Sequence, residues 1–137
     1  MVRDQGPRPI AKQISTDTDV ALCVVSAGNV AAAAGLDDVA RQSFATAVSE
    51  LARNIVKYAG SGEIRIRELT SGARSGVEAF ATDTGPGIAD VGLAMTDHYS
   101  SGGTLGIGLP GVRRMMDEFE IVSEPNQGTS ITIRKWG

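Results

Sequence analysis

A chain of 137 residues can bury one real core but hardly two, so a single domain over residues 1–137 is the expectation. With 42% hydrophobic, 21% charged and only 4% aromatic residues, that core should be aliphatic. The 13 basic and 16 acidic side chains leave a formal charge of −3 without a basic run to follow a phosphate backbone, which argues against a nucleic-acid partner.

Residues 1–7 are polar, hold Gly6 and Pro7, and read as a frayed end. They do not form a basic-then-apolar leader, and no apolar run reaches membrane-spanning length, so secretion and membrane insertion are disfavoured. Arg8 to Ser15 fits an edge strand. Thr16 and Asp17 can cap a helix through Val20, Val24, Ala27, Val30 and Ala31, which Gly35 ends. Cys23, the single cysteine, lies in this apolar row; it reads as buried packing and fits a reducing cytoplasm. Asp37 or Asp38 caps a second helix whose Phe44, Val48, Leu51, Ile55 and Tyr58 recur at steps of four and three, closed by Gly60 and Gly62. Glu63 to Leu69 and Val77 to Thr82, joined by turn residues, predict an antiparallel hairpin at the centre of a sheet.

From about residue 84 to 108 the chain is rich in glycine, with at most a short helix near Asp90 to Thr96, and a stretch of that length reads as a lid. Pro110 suits the first turn of a third helix, whose apolar side would be Val112, Met115, Met116 and Phe119. Ile121 to Ser123 and Thr129 to Arg134 predict a second hairpin, with Trp136 packing near the end.

Three constellations can carry chemistry. Glu50 and Asn54 sit one helical turn apart on one shoulder of the second helix's buried stripe, an arrangement that suits Mg²⁺ beside a base. Taken alone, its ordinary reading is a solvated glutamate and an asparagine bonded within its helix. Arg53, on the far side of the same helix, reads as a surface charge rather than a partner contact. After the central strand comes Asp83-Thr84-Gly85-Pro86-Gly87, an acid able to accept from an exocyclic amine and two glycines that let backbone approach a flat ligand. Its ordinary reading is a turn. The run from Gly102 to Leu109 feeds the third helix and offers unpaired N–H groups where phosphates could sit. Within it, Gly106-x-Gly108-x-x-Gly111 matches a dinucleotide fingerprint by letter but lacks the preceding strand that motif requires. His98, in the same stretch, reads as a solvated loop histidine.

The order and spacing of these three elements, with Gly128-Thr129 in the last hairpin, resemble the GHKL (Bergerat-fold) ATPases. Ser49-Glu-Leu-Ala-Arg-Asn54, Tyr58-Ala-Gly60 and Leu109-Pro-Gly-Val-Arg-Arg-Met-Met-Asp-Glu-Phe119 look most like the RsbT-type serine/threonine switch kinases of the stressosome. The resemblance implies an α/β sandwich: a mixed, mostly antiparallel sheet with three helices on one face and an ATP lid. It also implies ATP and Mg²⁺ as cofactors, with Asn54 on the metal, Glu50 orienting or deprotonating the attacking hydroxyl, and Asp83 reading adenine. Gly85, Gly87 and Ile88 would line the base pocket, Thr104, Leu105, Gly106, Ile107, Gly108 and Leu109 would meet the nucleotide, and Thr129 would support Asp83. Kinases of this type phosphorylate STAS-domain proteins and then activate a PP2C-type phosphatase. The alternatives kept are an anti-sigma factor kinase that sequesters a sigma factor, and a nucleotide-dependent module that only switches partners.

Overall fold

A computed structural model describes residues 9–88, residue 95 and residues 108–137. The elements are β1 (Ile10–Ile14), α1 (Asp17–Ala33), α2 (Asp38–Asn54) continued by a π-helical turn (Ile55–Ala59), β2 (Gly62–Ser71), β3 (Arg74–Asp83), α3 (Gly108–Met115), β4 (Glu118–Ser123) and β5 (Thr129–Trp136). The strands form one sheet in the order β1-β2-β3-β5-β4, and every pairing is antiparallel. The parallel component of the expected mixed sheet is thus not found among the described residues, while β2 and β3 hold the interior positions expected of them.

Local chemistry explains the boundaries. The Thr16 hydroxyl accepts from the Asp19 amide and the Asp19 carboxylate accepts from the Thr16 amide, closing a capping box at the start of α1. Asp37 caps α2 by accepting from the Ala40 amide at 2.8 Å. The first hairpin is tighter than the sequence suggests: Ser71 faces Arg74, and Gly72, at φ +62°, supplies the left-handed first position of a two-residue loop.

One sheet face carries the helices. Ile64, Ile66, Ala79, Ala81, Ile131 and Ile133 share that face by strand alternation, and they join one buried cluster with Cys23, Phe44, Leu51 and Val112 from the three helices. The aliphatic core expected from composition is therefore present. Cys23 is fully buried, and burial pushes its thiol up to about 11. In the native protein it should resist thiol-specific alkylation at about pH 8 and react at once on denaturation; rapid native labelling would show that α1 opens readily.

The opposite face is closed by charge. Arg67 Nε donates to Glu78 Oε1 at 2.8 Å, Arg134 Nε to Glu78 Oε2 at 2.8 Å, and Arg134 Nη1 to Glu118 Oε1 at 3.0 Å, a ladder across β2, β3, β5 and β4. Trp136 extends it by donating Nε1–H to Glu118 Oε2 at 2.6 Å while its ring lies over Gly76. These bonds draw the Glu118 carboxyl below its usual range, the Trp136 bond foremost.

Two helical expectations change. Tyr58 is exposed rather than on the apolar stripe, because the chain widens to π geometry after Asn54 and the Gly60 amide bonds Ile55 O at 2.8 Å. Phe119 belongs to β4, not to the third helix: the Asp117 amide bonds Arg134 O at 3.0 Å, and ladder pairing takes over where the 3–4 periodicity continued on paper.

Candidate nucleotide site

The helix-facing side of the sheet ends in a row of short side chains. Gly62 on β2, Asp83 on β3, Thr129 on β5 and Ser123 on β4 are successive register partners. Glycine is required at Gly62, since a Cβ there would stand 2.9 Å from Ile55 Cγ2 and 3.1 Å from Asp83 Cβ. Ile55 immediately follows Asn54, so the end of α2 is brought beside Asp83. The π turn then lays Ala59 against Gly85, where a Cβ would come within 2.6 Å of the Ala59 methyl. π segments inside helices recur at functional sites, and this one redirects the chain just after Asn54.

Asp83 is half-buried, and its Oδ1 accepts the Gly85 amide at 2.9 Å, which fixes the carboxylate and leaves Oδ2 free among the described residues to accept from a ligand. Thr129 stands opposite Asp83 in the ladder, but its hydroxyl hydrogen bonds Ser123 Oγ at 2.8 Å. Ser123 was not singled out from sequence. Its hydroxyl also meets the Ile88 amide at 2.8 Å, tying the segment after Asp83 to β4. A serine ending an alternating strand carries no local signal for such a role.

Gly87 and Gly128 have structural reasons to be glycine. Gly87 lies at φ +74° with Glu124 O where a Cβ would be, and Gly128 lies at φ +81° with Asp83 O 2.1 Å from its would-be Cβ. Gly128→Ala should therefore cost at least about 1–3 kcal/mol and displace Asp83, lowering both the melting temperature and nucleotide affinity. Gly72→Ala, strained in φ but with open space around it, should lower stability without touching affinity. Equal affinity loss in both variants would contradict this account of Gly128.

On α2, Glu50 is buried at 3% exposure, and its Oε2 accepts from Arg53 Nη2 at 2.8 Å. Asn54, four residues on, is half-buried. The helix thus places a buried carboxylate and a half-buried asparagine one turn apart. Arg53 departs from its reading as a plain surface charge, for a side chain three residues along is only about 60° away around the helix and long enough to fold back.

Among the other candidates, Ile88 is partly buried against the core and Leu109 is buried within it, so Leu109 packs α3 instead of presenting its side chain outward. Gly108 opens α3 at φ +67°. Thr104, Leu105, Gly106 and Ile107 lie outside the described residues, as do His98 and, apart from Met95, the short helix expected near Asp90 to Thr96.

Mg²⁺ keeps much of its water and takes oxygen ligands, often shared with substrate phosphates. Among the described residues no three His, Cys, Asp or Glu side chains gather; the donor the resemblance assigns is the Asn54 amide oxygen, with the Glu50 carboxylate engaged by Arg53. That donor fits an ion held jointly with a nucleotide.

Residues 13–135 match the histidine kinase-like ATPase domain family. Over 124 residues, 90% of this chain and 93% of the relative, the sequence is 43% identical to serine/threonine-protein kinase RsbT of Bacillus subtilis strain 168. Asp83 fixed at a strand end against the π turn, and the Glu50–Asn54 shoulder beside it, thus sit within a match spanning nearly the whole sequence, and the chain belongs to the histidine kinase-like ATPase family as a protein of the RsbT type.

Proposed function

We propose that this RsbT-type kinase uses Mg·ATP to phosphorylate a serine or threonine of a STAS-domain protein, and that, once released, it activates a PP2C-type phosphatase in a bacterial stress-signalling circuit. The observation that carries the reading is the pairing of a buried, ion-paired Glu50 with Asn54 one turn later, on a helix whose end packs beside Asp83. It is supported by the likeness to a serine/threonine kinase along almost the full length of both chains.

In this reading Asp83 accepts the exocyclic amine of adenine, Gly85 brings backbone close to the base, and the start of α3 at Gly108 faces the phosphates. Asn54 holds Mg²⁺, which compensates phosphate charge when bound. Glu50 accepts the proton of the substrate hydroxyl as its oxygen attacks the γ-phosphorus. The bond from that phosphorus to the bridging oxygen breaks, and ADP leaves with the electron pair. Catalysis of this kind is mostly positioning and charge compensation, tasks a rigid helix face can perform. The site is read as cytoplasmic, and no described helix is long and apolar enough to cross a membrane.

Incubating the protein with Mg²⁺ and γ-labelled ATP, alone and with the STAS-domain protein encoded nearest its gene, tests this reading. Label on a serine or threonine of the partner is expected. ATP binding without any transfer would instead favour a module that only switches partners.

A further inference from the structure

Glu50 poses a physical problem that the proposed chemistry does not solve. A carboxylate at 3% exposure loses most of its hydration, and its charge must be met by a partner. The described partner is Arg53, whose Nη2 donates to Oε2 at 2.8 Å. Three features of this contact go beyond charge neutralisation. It engages one oxygen only, and among the described residues no hydrogen bond reaches Oε1, which is left to accept a proton from a substrate hydroxyl. Both partners rise from the same rigid helix, three residues apart, so the carboxylate plane is fixed by α2 itself and not by a loop. The guanidinium is half-exposed, at 47% for its side chain, so the ion pair lies where the buried carboxylate meets solvent or an approaching protein.

We propose that Arg53 is a positioning residue for phosphoryl transfer: its Nη2 bond to Oε2 holds the Glu50 carboxylate in one orientation, with Oε1 aimed at the substrate hydroxyl. This rests on the reading of Glu50 as the proton acceptor. A charge-assisted hydrogen bond to one oxygen restricts the carboxylate's rotation, and small misplacement of a reacting group is costly in rate. Arg53 acts through Glu50 and not on the nucleotide, so its removal should affect the transfer step and spare ATP binding.

The test compares Arg53→Ala, Arg53→Lys, Glu50→Gln and the Arg53→Ala/Glu50→Gln double variant. Each is assayed for transfer of γ-label to the STAS-domain protein and, without any partner, for hydrolysis of Mg·ATP by water. Arg53→Ala should lower kcat by about 10- to 100-fold with KM for ATP within about twofold. Arg53→Lys, which keeps the charge, should recover most of that loss. In the Glu50→Gln background the Arg53→Ala change should add nothing further, because a residue acting through Glu50 has no effect once Glu50 is disabled.

The proposal is overturned if Arg53→Ala leaves kcat unchanged, if its loss lies in KM for ATP, if Lys is no better than Ala, or if the two single losses simply add. Wild-type transfer by Glu50→Gln would instead remove the reading of Glu50 itself, whatever Arg53 does.

Discussion

Glu50→Gln should leave Mg·ATP binding within about threefold of wild type and reduce phosphoryl transfer by about 100- to 10,000-fold, the span expected when a positioned general base is lost. Glutamine preserves volume and can still accept the Arg53 hydrogen bond through its amide oxygen, so the core around Phe44, Val48 and Leu51 is undisturbed. What it lacks is basicity at the second position. Binding by titration calorimetry and single-turnover transfer together separate the two effects. An equal fall in affinity and rate would mean that Glu50 holds the metal or the nucleotide, not the proton.

Asp83→Asn should act on the other quantity. The wild-type carboxylate uses Oδ1 for the Gly85 amide, and in the proposed site Oδ2 accepts from adenine. Asparagine can maintain the first bond with its oxygen, which turns its NH₂ toward the exocyclic amine, donor against donor. A hydrogen bond to a charged group contributes about 1.5–3 kcal/mol, so Mg·ATP affinity should fall by roughly 10- to 150-fold while the melting temperature stays nearly constant. Asp83→Ala, which also frees the Gly85 amide, should lose stability as well. Unchanged affinity in the asparagine variant would place adenine elsewhere.

These two residues also show what a sequence reading can reach. Asp83 was legible because a strand-length run ends on an acid followed by glycines. Glu50 and Asn54 were legible because helical periodicity fixes a shoulder once Phe44, Val48 and Leu51 define the buried stripe. The caps at Thr16 and Asp37 announced their helices through side chains that bond only nearby amides.

Features set by distant contacts were not legible. Phe119 continues a helical spacing on paper, yet pairing with Ile133 draws it into β4. Tyr58 leaves the stripe because of a π turn whose fit depends on the close approach of Gly85, remote in sequence, to Ala59. Ser123 links Thr129 and Ile88 through one hydroxyl, a role that exists only after three segments have come together. Arg53 is exposed as read, but its ion pair with Glu50 was missed for a simpler reason: a helical wheel gives the direction of Cβ, and an arginine reaches well beyond it.

The most direct measurement of the site is a crystal structure with Mg²⁺ and a nonhydrolysable ATP analogue. The exocyclic amine of adenine should lie within hydrogen-bond distance of Asp83 Oδ2, the Asn54 amide oxygen should coordinate Mg²⁺, and Glu50 Oε1 should face the γ-phosphate side unencumbered by metal. A nucleotide bound away from Asp83, or Mg²⁺ seated on Glu50 in place of Asn54, would contradict this account of how the fold carries out phosphoryl transfer.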